Sequence, residues 1–395
     1  MTMFRALSGD HRQLTTALVF ALHGATIGTY LSRIAELRVA MNLDEAQFGI
    51  ALVGGPLGVL VGSFFASGVI ERFGIRRTLL AAYPAFAGGL VLEALAVDAV
   101  SFFAALAFFG FALTHCNIAM NVEADRVEAA TGRRMLNRGH GSWGIGFLLA
   151  SLAGTGAVAA GMAPLVHFVV AFVAISLATV LVVRPMVASP PRAHSGGARS
   201  VRRLALPTAG VLLIMAFALS GYMMEDSSRT WSVIYLRDNF HPDAWVATLT
   251  LPAFIVTLTI GRFIADGLID RHGPVRVAIA LVLVSAVGLA LVSAAHTVAM
   301  ALAGFALIGL GVSTAQPQAL SAVARLGDRP SSLNVASFAT LQTVLSFLAP
   351  PLFGSVASHY GVRISFAMLL PLLLLALAFA RFLEPAKTRE PASAA

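Results

Sequence analysis

The chain has 395 residues, of which 58% are hydrophobic and only 12% are charged. Soluble domains carry about 25% charged residues, so this composition excludes an ordinary water-soluble fold and points to a chain dissolved in lipid. The formal net charge of +8 and the single cysteine leave a nucleic-acid partner to be weighed against membrane topology and exclude an intramolecular disulfide.

Apolar stretches long enough to cross a ~30 Å hydrocarbon core recur along the whole chain. None alternates polar and apolar residues as a barrel strand would. Lipid offers no hydrogen-bond partners, so each stretch is predicted to be a helix. Six are predicted over 14–35, 46–69, 77–97, 100–121, 140–160 and 163–184. The first is too long for a signal core, and it carries His23, Tyr30 and Arg33 where a cleavage site would need small residues, so it is read as a retained span. Cys116, in the fourth, reads as a small packing residue. A Pro-, Gly-, Ser- and Arg-rich segment over 185–206 then reads as a flexible linker. Six more helices are predicted over 207–232, 244–266, 275–295, 298–320, 333–357 and 361–382.

The predicted fold class is therefore an all-α membrane protein of twelve transmembrane helices. Its parts are an N-terminal six-helix bundle over 1–184, the linker, a C-terminal bundle over 207–384 and a short tail over 385–395. With the N-terminus on the cytoplasmic side, every Lys and Arg except Arg33, Arg38, Arg229, Arg237 and Arg363 falls in a cytoplasmic segment. This asymmetry places both termini inside. The surplus charge is topology, and no nucleic acid is expected.

One motif ties the two halves together. Gly68-Val-Ile-Glu-Arg-Phe-Gly-Ile-Arg-Arg77 follows the second helix, and Gly267-Leu-Ile-Asp-Arg-His-Gly-Pro-Val-Arg276 follows the eighth. Similar segments at equivalent points of two halves indicate an internal repeat, and parallel repeats of membrane helices are a transporter architecture.

These residues resemble the signature of the major facilitator superfamily of secondary transporters. Ser67, Glu71, Arg72, Gly74, Arg76 and Arg77 occupy the signature positions in the first copy, and Asp266, Asp270, Arg271, Gly273 and Arg276 in the second. The resemblance implies that Glu71, Arg72, Arg76, Asp270 and Arg271 gate the cytoplasmic side, and that the protein sits in a bacterial-type inner membrane. A narrower similarity, to the MosC-like (rhizopine transport) branch, rests on several segments. They are Asn121-Val-Glu-Ala-Asp-Arg-Val-Glu, Gly132-Arg-Arg, His140-Gly-Ser-Trp-Gly, Glu225 with Trp231-Ser-Val-Ile-Tyr-Leu, and Ala349-Pro-Pro-Leu-Phe-Gly354. It implies a small polyhydroxylated substrate, since rhizopines are amino-cyclitols. Asp226 and Arg229-Thr230 depart from the pattern of that branch.

The superfamily resemblance also implies that the first, fourth, seventh and tenth helices surround a central cavity. Ionisable groups are costly in lipid, about 2.5–3.5 kcal/mol on the mildest scale, so those on these helices are candidates to line it. The first helix presents His23, Thr26, Tyr30 and Arg33 on one face. His23 is read as a ligand or a structural hydrogen-bonding group, and Arg33 as a ligand or as snorkelling to the outer interface. The fourth presents Thr114, Asn117 and Asn121, whose amides offer both donor and acceptor to a polyol; Asn121 alternatively caps the helix. The seventh carries Tyr222, Glu225, Asp226 and Arg229. Two adjacent carboxylates in a low dielectric do not both ionise freely, so Glu225 and Asp226, with His23, are the proton-coupling candidates and Arg229 their charge partner. A solvated position at the outer rim is the alternative. Gln316 in the tenth helix completes the substrate-binding set, and Pro317 is expected to kink that helix. Trp143 is read as stacking on a sugar ring or, in preference, as an interfacial anchor, and Glu93 as interfacial. Gly54, Gly58 and Gly62 form a small-residue stripe read as a sliding contact between halves or as plain helix packing.

The expected function is secondary active transport of a small polar solute (a sugar, cyclitol or similar polyol) by alternating access, as proton-coupled import by a monomer. A drug or metabolite exporter of the same fold is the first alternative, and a non-transporting membrane sensor the second. No metal-ligand spacing, phosphate loop or nucleophile elbow stands out, so neither enzymatic activity nor a cofactor is expected.

Overall fold

The structure is a computed structural model that describes residues 2–187, 189 and 206–384. Most of the segment read as a linker, and the whole tail, lie outside the described residues. In the first half the chain forms α1 (Thr2–Ala40), α2 (Glu45–Ala51), α3 (Gly54–Ala94), α4 (Ala99–Thr131), α5 (Leu136–Ala159) and α6 (Pro164–Val183). In the second it forms α7 (Ala209–Phe240), α8 (Ala244–Thr248), α9 (Thr250–His272), α10 (Pro274–Ala294), α11 (Val298–Val312), α12 (Ala315–Ala324), α13 (Ser331–Tyr360), α14 (Val362–Ala367) and α15 (Leu370–Phe379).

Eleven helical segments among the described residues are long and apolar enough to span a membrane. One of them, Glu45–Ala94, contains two crossings, because α3 is interrupted at Gly74, whose backbone is at φ 76°, ψ 159°. Twelve crossings result. Gly273, the equivalent glycine of the repeat, ends α9 at φ 81°, ψ 156°. That region of backbone space is essentially reserved for glycine. The repeated motif thus contains a conformational requirement: the chain reverses direction at its central glycine, once in each half.

Lipid supplies no hydrophobic drive between helices, so close approach of small residues matters most. Gly54, Gly58 and Gly62 of α3 face the backbone of α4 at Phe103, Ala107 and Phe111. The stripe is therefore packing inside the first bundle, the plainer of its two readings, and not a sliding contact between halves. Small residues do join the halves elsewhere, at Gly141 and Gly144 of α5 against Phe263 and Thr259 of α9 and at the short helix α2. Gly49 of α2 rests on Pro350 and Gly354 of α13, where an added Cβ would come within 2.5 Å of the Pro350 carbonyl oxygen. Around the outside, large apolar side chains such as Phe65, Leu149, Leu181 and Leu374 are exposed, as a lipid-facing belt requires.

One crossing of the second half is broken at its middle. Pro317 lies in the first turn of α12, and the break between α11 and α12 falls at Ser313 and Thr314. Proline has no N–H, and its ring clashes with the carbonyl four residues earlier, which here belongs to Ser313. That carbonyl is left free for a side chain.

A candidate site between the two bundles

The C-terminal bundle contributes an ion cluster. Glu225 of α7 is buried and lies between two guanidinium groups. Arg229, one turn further along α7, pairs with it. Arg262 of α9 approaches the same carboxylate oxygen at 3.4 Å and also donates to the freed Ser313 carbonyl at 3.4 Å. Asp226 is adjacent and half-buried, and it interacts electrostatically with both Arg229 and Glu225. Tyr222 precedes Asp226 by one turn. Gln316 of α12 pairs with Gln342 of α13, and its amide nitrogen lacks an acceptor of its own. Arg262 does not stand out in the sequence, because it sits near the end of an apolar stretch among the arginines that set topology.

The N-terminal bundle contributes neutral polar groups. His23 of α1 is buried, and its Nδ1 accepts a hydrogen bond from the indole N–H of Trp143 at 3.0 Å. In the neutral ring, Nε2 then carries the proton, and the acceptor it faces is the Leu113 carbonyl of α4, inside the first bundle. Trp143 is thus held against α1 inside the protein, which corrects its reading as an interfacial anchor. The Tyr30 hydroxyl is buried without a partner, and Asp226 across the bundle interface acts on it electrostatically. On α4, Asn121 donates to the carbonyl oxygen of Asn117 at 2.8 Å and to its side-chain oxygen at 2.6 Å, both residues being half-buried. The amide of Asn121 is spent within its own helix, one turn back.

Three predicted ligands point away from this region. Thr26 is fully buried with its hydroxyl on the Leu22 carbonyl. Thr114 donates to the carbonyls of Gly110 and Val59, so it fills the seam between α4 and α3. Arg33 neither lines the cavity nor snorkels. It is buried and bound to His167 at 3.2 Å, Glu36 at 2.7 Å and the Met162 carbonyl at 2.8 Å. Glu93 is likewise not interfacial, for its side chain is fully buried in the first bundle.

The two ends of the interface differ. At the end away from the linker, the bundles are closed on each other. Arg38 of α1 pairs with Glu45 and, across the interface, with Asp238 of α7 at 2.6 Å. Arg237 donates to the Ala35 carbonyl at 2.9 Å, and Thr248 of α8 donates to Thr155 of α5 at 2.8 Å. A crevice of about 450 Å³ remains there, lined in part by Val39, Val233, Ala247 and Thr248. At the linker end, Glu71, Arg72, Arg76, Asp270 and Arg271 are all exposed. No ion pair joins the two motif copies among the described residues, and the Arg72 guanidinium stacks over Phe73, 5.4 Å from the ring centroid. The sequence reading misses the far-side latch, although a signal exists. Arg38 and Arg237 are exceptions to the charge asymmetry, and each has a specific acceptor.

Comparison with known proteins agrees with this architecture. A model described as Major Facilitator Superfamily matches residues 16–338 and 211–395. An uncharacterized transporter of Sinorhizobium fredii is 28% identical over 88% of this chain and 91% of its own. The membrane protein MosC of Rhizobium meliloti is 25% identical over 88% of this chain and 84% of its own. Among solved structures, the nucleoside transporter NupG aligns at a TM-score of 0.73 with 14% identity, covering 94% of this chain and 98% of that one. The D-xylose-proton symporter aligns at 0.73 with 15% identity, covering 95% and 97%. At such identities the structural matches establish the fold alone.

Proposed function

The chain belongs to the Major Facilitator Superfamily, and from that premise we propose that it imports a small polyhydroxylated solute together with protons, by alternating access. It is a multi-pass membrane transporter and not an enzyme. The linker side is taken as cytoplasmic, in a bacterial inner membrane, and the conformation described is inward-facing.

The observation that carries the reading is the Glu225 cluster. A buried carboxylate between Arg229 and Arg262, with a second carboxyl group beside it, sets two cations against two acids in a low dielectric. Removing one charge from such a set alters the strength of every remaining pair. Protonation of either acid would loosen an arginine and change how α7 and α9 hold together. Binding or protonation that favours one arrangement of the bundles then shifts the whole equilibrium. For the solute, the Tyr30 hydroxyl, the Arg229 Nε and the Gln316 amide nitrogen are buried polar atoms without partners. Asp226 supplies an acceptor. Such a set of donors with one acceptor suits hydroxyl groups, in keeping with the MosC likeness and the sugar and nucleoside carriers that share the fold.

The test is uptake into proteoliposomes of labelled sugars, cyclitols, nucleosides and organic acids, with and without an inward proton gradient. Gradient-driven accumulation supports symport, and loss of internal compound under the same gradient reassigns the direction to export. Glu225→Gln should abolish gradient-driven accumulation while leaving solute exchange. Accumulation at the parental level in that variant removes Glu225 from the coupling role.

A further inference from the structure

Glu93 is a titratable group that the transport reading does not use. It lies near the far-side end of α3 with its side chain wholly excluded from solvent. Both carboxyl oxygens lack a hydrogen-bond partner. An unpartnered ionised carboxylate so deep in an apolar site would cost several kcal/mol, so burial of this kind requires the neutral acid. The surroundings are apolar on the α4 side, where Phe109 packs on Gly89, one turn before Glu93. On α1 the titratable group nearest to it is Tyr30, on which Glu93 acts electrostatically. The other ionisable groups near this end of the bundle are engaged elsewhere: Arg33 and His167 with each other, and Asp98 as the exposed cap of α4.

Tyr30 connects this pocket to the candidate site. Its ring packs on Phe109 at a centroid separation of 5.4 Å, and its hydroxyl has no partner. It lies within electrostatic reach of both Glu93 in its own bundle and Asp226 in the other. The Asp226 side of Tyr30 belongs to the other bundle, so separation of the bundles would leave Tyr30 open to water on that side and shorten the path for water towards Glu93.

We propose that Glu93 is a second proton-binding site of the transport cycle, neutral while the far side is closed and able to release its proton when the far side opens, with Tyr30 as its cover. The step is a simple acid dissociation in which the O–H bond breaks and the proton passes to water. This inference rests on the proton-coupled reading, but its test needs no knowledge of the solute.

The test is an infrared pH titration of the reconstituted protein from about pH 5 to about pH 9, a range that spans the titration of acids in apolar surroundings. The neutral-carboxyl band is assigned by its loss in Glu93→Gln, or by its shift in Glu93→Asp should the glutamine variant fail to fold. In parallel, Ala247→Cys in a Cys116→Ser background reports far-side opening through reaction with an impermeant maleimide. The expected result is a Glu93 band at low pH that disappears at high pH together with a gain in labelling at residue 247, and a shifted midpoint in Tyr30→Phe. A Glu93 band that persists across the range marks a permanently neutral structural acid and overturns the proposal. So does absence of the band at low pH, or its loss without change in labelling. Failure of proton-driven flux in the parent protein, with the titration intact, would instead count against the symport reading alone.

Discussion

Gly49→Ala should shift the protein towards the far-side-open state. A Cβ at residue 49 would lie 2.5 Å from the Pro350 carbonyl oxygen and 3.1 Å from the Gly354 Cα. An ordinary contact needs about 1 Å more, and the groups in the way are backbone of the opposite bundle. Overpacking of this kind costs about 1–3 kcal/mol. Because α2 and α13 meet across the bundle interface, that cost falls on the far-side-closed state and disappears when the bundles separate. A bias of about 1–3 kcal/mol corresponds to a change of about 5- to 150-fold in the equilibrium between the states. Gly58→Ala is the control. Its Cβ would collide with the Ala107 carbonyl, inside the first bundle, so it should weaken both states alike. The native cysteine, Cys116, is buried, so a Cys116→Ser background with Ala247→Cys in the far-side crevice gives a clean reporter. Gly49→Ala should raise the labelling rate of residue 247 by about fivefold or more, and Gly58→Ala should lower the thermal midpoint without raising that rate. Equal labelling in the two variants, with equal loss of thermal stability, would refute the reasoning.

Arg38→Ala removes the cation shared by Glu45 and Asp238 and leaves only Arg237 acting on Asp238. These carboxylates are 23% and 27% exposed, so partial hydration limits the effect to about 1–2 kcal/mol in favour of far-side opening. Labelling at residue 247 should rise, and Arg38→Lys should show a smaller rise; no change in either variant removes the latch role. Gly74→Ala and Gly273→Ala should each cost about 1–3 kcal/mol from backbone strain alone, since an added Cβ meets nothing within 4 Å at either position. Thermal midpoints in detergent measure this, and parental midpoints in both variants would mean that the reversals tolerate other conformations. Asp98 is held below its ordinary carboxylate value by hydrogen bonds from the Ser101 side chain and backbone. Its stabilising effect is therefore complete above the unfolded-state pKa and is lost as pH falls through the lower folded-state value. In Asp98→Asn the acid limb of the thermal-stability profile should flatten, and an unchanged limb assigns the acid sensitivity to other groups.

Much of the architecture is legible in the sequence because lipid imposes it on each segment separately. Every stretch must satisfy its own backbone in an apolar solvent, so length and hydropathy alone mark twelve crossings, and a repeated motif marks the two halves. The glycine of that motif is also readable, since a reversal with positive φ admits almost no other residue. The site is legible in part. Spacing on α7 puts Tyr222, Glu225, Asp226 and Arg229 on one face, as helical periodicity demands. What periodicity cannot give is the partner across an interface. The second cation on Glu225 is Arg262, whose position depends on a carbonyl freed by Pro317 in a different crossing. Trp143 reads as an anchor until α5 is set against His23, and Glu93 as interfacial until the first bundle is seen to enclose it. Of the five arginines that break the charge asymmetry, Arg38, Arg237 and Arg363 are the unread signal: Arg38 binds the Asp238 carboxylate, Arg237 binds the Ala35 carbonyl, and Arg363 approaches Asn239 and stacks on Phe240. The sequence by itself determined that these charges are costly where they stand. Only the tertiary structure decided what offsets that cost, because attraction between charges depends on distances that chain order does not contain.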